Sequence, residues 1–447
     1  MGDERATVAG RVQRVARVSA GVGGLVAKYA SGRVLGREVP PEELARDLKI
    51  ALGSFKGPIM KVAQMLATIP EALPEAYANE LLELQQNAPP MGWPFVRRRM
   101  AAELGPDWRG KFASFSQDAA AAASLGQVHR ATSHDDVALA CKLQYPDMDS
   151  AVSADLAQLG LLIAIYKRLS PAIDPSELAA EVGDRLREEL DYVREARHIA
   201  LYRRMLAGEP RISVPEVMPA LSTRRLLTMS WLDGQPLLSF KDAPEAARNA
   251  IAEALFRAWW HPFSRFGVIH GDPHLGNYSV RGDHGLNLLD FGCIRIFPPN
   301  FVAGVVDLYW ALERNDRDLA VSAYERWGFH GLSRELIDAL NIWARFIYGP
   351  LLDDRERTIA DGVKPSEYGR KEAFEVHKRL ATLGPVRPPR EFVFMDRAAI
   401  GLGAVFLHLA ARLNFRRLFV EAIEGFSTER LESAQSAALT GAGLAPS

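Results

Sequence analysis

The chain has 447 residues, with Lys+Arg 54 against Asp+Glu 55 and a formal net charge of −1. That balance argues against a nucleic-acid binder working through bulk positive charge, and 48% hydrophobic with 24% charged residues is a globular composition, not a disordered one. Cys141 and Cys293 are its two cysteines, which excludes a disulfide framework or a four-cysteine zinc site and fits a reducing compartment.

The N-terminal segment is locally basic. From Gly10 to Arg37, Arg11, Arg14, Arg17, Lys28, Arg33 and Arg37 occur without an acidic residue, and Val12, Val15 and Val18 repeat at helical spacing beside them. One helix with an apolar stripe and flanking cations packs on the rest of the chain or lies on a membrane surface. No signal peptide is read, and the uninterrupted apolar runs fall short of the roughly 18 residues of a spanning helix. The expectation is a cytoplasmic protein with no transmembrane segment, peripheral at the inner face of a membrane.

After Pro40-Pro41 a helical region runs to about Gly105, broken at Pro70, Pro74 and Pro89-Pro90. Lys111–Phe115, Gln127–Ala131 and Val137–Leu143 are β-compatible and surround an alanine run and a His-Asp-Asp turn, which predicts a small antiparallel sheet. Helices are expected over Ala151–Leu169 and Ser176–Leu206, then strands at Glu216–Met218 and Arg225–Trp231. From Pro244 the pattern is helical except around Val268–Asp290, and residues 427–447, rich in Ser, Ala and Gly, are expected to be loose. The fold class is therefore α+β. Its expected divisions are a helical extension over 1–110, a small-sheet lobe with a helical insert over 111–232, a helical lobe over 233–426, and a tail.

The strongest constellation is Val268-Ile-His-Gly-Asp-Pro-His-Leu-Gly-Asn277 followed by Leu288-Leu-Asp-Phe-Gly292. Asp272 and Asn277 stand at the offset of the catalytic Asp and the metal-binding Asn of a kinase catalytic loop, and Asp290 opens an Asp-Phe-Gly. Phosphoryl transfer is largely positioning and charge neutralisation. It needs one carboxylate near the nucleophile, with an amide oxygen and a second carboxylate holding magnesium against the phosphates. Alone, Asp-Phe-Gly is only a turn; after His270, Asp272 and Asn277 it is a nucleotide site. Lys142, ending Val-Ala-Leu-Ala-Cys-Lys, supplies the strand lysine for the α/β-phosphates. For its partner the 188–195 stretch offers several acids: Glu188, Asp191 and Glu195 would share one helical face with Glu189 rotated away, and spacing does not choose among them.

Where a protein kinase carries a glycine-rich loop, this chain has Ala119–Ala123 and then Ser-Leu-Gly126-Gln127, so nucleotide should be held differently. After Asp290 there is no Ala-Pro-Glu and no long activation segment, which disfavours a peptide substrate. No His/Cys cluster has zinc-ligand spacing, and His129, His198, His261 and His284 read as structural or surface residues.

Together these residues resemble the UbiB (AarF-like) family of atypical kinases over roughly 45–425. The resemblance rests on Lys61-Val-Ala-Gln64, Ala-Ala-Ala-Ser-Leu-Gly-Gln-Val-His129, Lys142-Leu-Gln-Tyr-Pro146, Glu189-Leu-Asp191 with Glu195, His270 to Asn277, and Asp290-Phe-Gly292. It implies a bilobal protein-kinase-like fold whose N-terminal extension covers the active site, with ATPase activity or transfer to a small or lipid-like acceptor in quinone or lipid metabolism. ATP/ADP and Mg2+ are the implied cofactors, and an anionic lipid or an isoprenoid or quinone-like ligand the implied partner. By position, Lys142 and Glu195 would be the phosphate-orienting pair, Asp272 the catalytic carboxylate, and Asn277 and Asp290 the metal ligands. Ala122, Ala123, Ser124, Gly126, Gln127, Met229 and Trp231 would join Lys142 around the nucleotide, while Lys61 and Gln64 would oppose Glu189 and Asp191 as a regulatory set. Ala63 replaces the family's glycine and Leu275 its usual proline. Two other readings are a soluble small-molecule kinase of aminoglycoside or choline kinase type, and a nucleotide-gated scaffold or lipid chaperone with negligible turnover.

Overall fold

A computed structural model of the chain describes residues 91–122, 125–146, 186–363 and 389–445, with isolated positions between them. Lys61, Ala63, Gln64, Ala123 and Ser124 lie outside them, as does most of the expected 151–169 helix. The chain divides into two compact units. Of the described residues, the first holds 91–122, 125–136, 140–146 and 186–191, and the second holds Val137–Leu139 with those from Tyr192 onward.

In the first unit, helix α1 (Trp93–Leu104) precedes strands β1 (Ser114–Ala122), β2 (Gly126–Thr132) and β3 (Ala138–Gln144, of which Ala138 and Leu139 are counted with the second unit). β1 pairs antiparallel with β2, with register shifts between Phe115 and Ala119 and again before Ala121. Lys111 closes a 3-10 turn over Trp108–Lys111, so the strand begins later than its composition suggested. The alanine run extends β1 as far as Ala122, opposite Gln127. Alanine is a weak strand former, and cross-strand pairing overrides that preference here. Gln127 is fully buried: its Oε1 accepts from Met91 N (2.7 Å), and its Nε2 lies 3.1 Å from Met91 O and 2.8 Å from His129 Nε2. His129 Nδ1 then donates to Ser116 O at 3.0 Å, so the imidazole is a neutral linker whose proton affinity burial lowers.

The stretch expected as one helix over 176–206 is broken at Leu190–Asp191. Within the first unit, Gln144 Nε2 donates to the Leu190 carbonyl at 3.1 Å, satisfying an acceptor that the break frees. Helix α2 (Tyr192–Met205) starts anew after it. Glu188 and Asp191 therefore do not share a continuous helical face with Glu195, and the periodic argument joining them fails at that break.

In the second unit, β4 (Ile212–Ser213), β9 (Leu286–Leu288), β8 (Tyr278–Val280) and β6 (Gln235–Pro236) form one small sheet, and β7 (Val268–His270) pairs antiparallel with β10 (Ile294–Ile296). β5 (Leu226–Ser230) bridges Val217 through Met229, and Trp231 N donates to Ala138 O at 2.8 Å. Helices α3 (Glu245–Phe266), α4 (Pro299–Arg314), α5 (Arg317–Arg326), α6 (Arg334–Leu352), α7 (Arg390–Leu409), α8 (Phe415–Ile423) and α9 (Thr428–Gly441) complete it. Their core is aromatic: Trp260 meets Phe419 edge-on at 4.7 Å, and Phe297 stacks on Phe301 at 4.7 Å.

Residues 428–441, expected to be loose, are instead the helix α9. Ser427 caps it by accepting from Arg430 N, and Leu431, Gln435, Ala438 and Leu439 are buried, with α9 packed on α3 and α2. Alanine and serine are small enough for close helix contact, so their abundance here serves packing. α3 ends at Gly267, whose φ of +65° completes a left-handed cap. A Cβ there would lie 2.6 Å from Gln435 Nε2 and 2.9 Å from Phe297 O, so glycine also makes room for α9. Among the described residues one helix, α7, is long and apolar enough over Glu391–Leu409 to cross a membrane by composition. Charged residues interrupt its apolar runs, and length and composition alone do not make it a span. A third of that window is buried inside the protein.

Candidate active site

β7 is buried along its length and delivers the chain to the loop that follows. His270 Nε2 donates to Asp290 O at 2.6 Å, and Asp272 N points at His270 Nδ1 at 3.4 Å. Acceptance at Nδ1 with donation from Nε2 fits one neutral tautomer and ties the loop to the start of Asp-Phe-Gly. His274 caps the single turn Leu275–Asn277 by accepting from Gly276 N, so Leu275 sits in a turn that keeps its hydrogen bonds without a proline. Asn277 Nδ2 donates to Asp272 O at 2.8 Å, and Leu289 N donates to Asn277 O at 3.0 Å. The amide nitrogen of Asn277 is spent on the loop, which leaves Oδ1 as its ligand end. Asp290 Oδ1 accepts from Gly292 N at 2.9 Å.

α2 fastens the same motif from behind. Glu195 is 2% exposed and its Oε1 accepts from Phe291 N at 3.4 Å, while His198 Nδ1 donates to Phe291 O at 3.0 Å. The offset of three puts both side chains on one helical face. That spacing was the signal by which His198 could have been picked out. Phe291 is fully buried and meets Tyr202 edge-on at 5.3 Å. Tyr278 and Tyr202 are enclosed here, and burial pushes both phenols far above their ordinary range, so they stay neutral.

The second unit thus brings Asp272, Asn277, Asp290 and Glu195 into one hydrogen-bonded frame. Met229 is buried on β5, and Trp231 spends its ring N–H on Asp233 at 3.0 Å. Lys142, half-buried on β3 between buried Cys141 and Leu143, belongs to the first unit with Ala122, Gly126, Gln127, Glu189 and Asp191. The Gln127 side chain is committed to Met91 and His129, so any contact it makes with nucleotide is left to its backbone. Among the described residues no cluster of three or more His, Cys, Asp or Glu forms a metal cage. Magnesium in phosphoryl transfer does not need one. It takes one or two protein oxygens and completes its shell with phosphate and water, and an amide oxygen with a carboxylate is that hard donor set.

A loop of this order, closed onto Asp-Phe-Gly and backed by a helical glutamate, defines a kinase-like protein. Residues 83–324 match the ABC1 atypical kinase-like domain, and the chain belongs to that family, the UbiB-type atypical kinases. It is 26% identical over 378 residues to the atypical kinase COQ8, mitochondrial, of Saccharomyces cerevisiae, covering 82% of this chain and 74% of that protein. It is 32% identical over 267 residues to the probable protein kinase UbiB of Xylella fastidiosa, covering 57% of this chain and 48% of that one. Among solved structures, Rv3197 of Mycobacterium tuberculosis, in complex with erythromycin, matches with a TM-score of 0.60 at 27% identity, over 90% of this chain and 99% of that one.

Proposed function

We propose that this chain is a magnesium-dependent ATP-binding atypical kinase that hydrolyses ATP or phosphorylates a small or lipid-like acceptor, supporting ubiquinone or lipid metabolism. The carrying observation is the frame that locks His270, Asp272, Asn277 and Asp290 together through bonds of 2.6 to 3.4 Å. In this reading Asp272 orients the attacking hydroxyl or water, Asn277 Oδ1 and the Asp290 carboxylate hold the metal, and Lys142, set by Glu195, steadies the α/β-phosphates. Bound Mg2+ would supply charge neutralisation between the phosphates. The alanine strand end and Gly126 lie along the nucleotide. Lys61 and Gln64, opposed to Glu189 and Asp191, form the regulatory extension. The protein works in the cytoplasm, peripherally at the inner face of a membrane, through its basic N-terminal segment.

Phosphate release from magnesium-ATP, with and without anionic liposomes, tests this in the parent and Asp290→Asn. Turnover in the parent that rises with liposomes and drops at least about a hundredfold in Asp290→Asn is expected, the scale of losing a charge-stabilising group at a reacting phosphate. Nucleotide binding with no release above background in either protein would move the nucleotide-gated scaffold ahead.

A further inference from the structure

The second unit contains a cavity of about 80 Å3, away from the catalytic loop in sequence and walled mainly by α3, α4, α6 and α7. Its lining is almost wholly apolar and rich in aromatics, among them Trp259, Trp343 and Tyr348. One acidic side chain lines it, Asp396 on α7. Its Oδ1 accepts from Trp343 Nε1, and among the described residues Oδ2 has no partner. Trp343 and Asp396 come from different helices, so their bond fixes the carboxyl at the cavity wall.

A carboxyl in apolar surroundings is costly unless it stays protonated or finds a polar partner. Burial holds Asp396 up to about 7, with no cation nearby to pull it back. The other titratable groups of the lining are Tyr324, Tyr348 and Tyr368, and burial keeps all three phenols neutral. Tyr324 and Tyr348 spend their hydroxyls on Asn341 Oδ1 at 2.9 Å and Val305 O at 3.0 Å. The wall therefore offers a ligand the Asp396 carboxyl, which at neutral pH can both donate and accept, and the buried Trp259 N–H, which has no partner among the described residues. Apolar cavities of this order take small apolar molecules and leave water outside.

We propose that this cavity binds a small neutral molecule, apolar in body and carrying one hydroxyl or carbonyl, whose polar group meets Asp396 Oδ2. A fixed charge on the ligand is disfavoured, because one carboxyl and one indole N–H are too few groups to solvate it. The site also adjoins the catalytic machinery. On α7, Gly401 lies between cavity-lining Ala399 and Gly403, and a Cβ at Gly401 would come within 2.9 Å of the Pro273 ring. Pro273 follows Asp272 directly, so a ligand that shifts α7 shifts the loop that carries Asp272.

The experiment is 19F NMR titration of the full chain with 4-fluorobenzyl alcohol, and with 4-fluorotoluene as a probe lacking the hydroxyl. The parent, Asp396→Leu and Ala399→Phe are compared, with Ala399→Leu replacing the last if it does not fold. Saturable binding of the alcohol by the parent is expected. It should be lost on filling the cavity and weakened about fivefold to thirtyfold in Asp396→Leu, the range of one buried hydrogen bond, with fluorotoluene affinity changed less than about threefold. Absence of saturable binding to the parent, undiminished binding to the filled variant, or equal weakening of both probes in Asp396→Leu would overturn the proposal. The readout needs no turnover, so it succeeds or fails independently of the ATP reading.

Discussion

Glu195 and Phe291 are joined by a hydrogen bond from the Phe291 N–H to Glu195 Oε1 at 3.4 Å, and His198, one turn further along the same helix, takes the Phe291 carbonyl. Both backbone polar groups of the Asp-Phe-Gly phenylalanine are thereby satisfied from α2, in a place where Glu195, His198 and Phe291 are all buried. The helix that carries Glu195 thus also fixes the residue following Asp290.

The bond separates two roles of Glu195. Glu195→Gln keeps an acceptor for Phe291 N–H, whereas Glu195→Leu leaves that donor buried without it. Chemical denaturation should show Glu195→Leu destabilised by about 1–3 kcal/mol and Glu195→Gln by clearly less. Under the proposed function turnover should drop at least about tenfold in both, because neither replacement carries the charge that the proposal assigns to Glu195. Equal stability loss in the two variants would mean that the Phe291 bond contributes nothing.

Much of the site was legible because its chemistry is local in sequence. The His270–Asn277 loop and Asp290 keep fixed offsets, and the structure turns those offsets into direct bonds such as Asn277 to Asp272. What the sequence concealed depends on contacts between distant segments. Gln144 meets the helix break at Leu190 across 46 residues, and nothing in the acid-rich 188–195 run announces that break. Gln435 reaches Phe266 and Phe297 across 169 and 138 residues, which is why a Ser/Ala/Gly-rich tail was read as loose. Asp396 lies in a helix whose period is unremarkable, and only the packing around it makes its carboxyl unusual.

Gln435 makes the tail a structural part of the second unit. Its Nε2 donates to Phe266 O at 2.8 Å and to Phe297 O at 2.9 Å, beside the strands β7 and β10 that frame the catalytic loop. Gln435→Leu keeps the volume and removes both donors, leaving two buried carbonyls short of a partner. The expected cost is on the order of 2 kcal/mol, read as a lower denaturation midpoint with unchanged slope. Gln435→Glu should also destabilise, because a carboxylate would confront both carbonyl oxygens. Parent-like midpoints in both variants would show that the α9 contact is peripheral.

Asp396 makes stability depend on pH with a definite sign. Its carboxyl is raised from 3.8 to about 7 in the folded protein, first by burial and against the hydrogen bond from Trp343. Between those two values the folded state holds a proton that the unfolded chain has released. Stability therefore falls as pH rises through the window, at up to about 1.4 kcal/mol per unit. Below about pH 4 both states are protonated and the effect vanishes; above about pH 7 both are ionised and the loss is complete. Tyr324, Tyr348 and Tyr368 remain neutral throughout and add no slope. Asp396→Asn removes this titration and leaves all others in place, so the parent-minus-variant difference isolates it. Urea denaturation at about pH 4.5, 6, 7.5 and 8.5 should show that difference moving in favour of Asn up to neutrality and flat beyond. A difference that stays constant from acid to alkaline pH would mean that the carboxyl is solvated, and the cavity would then lose its acidic anchor.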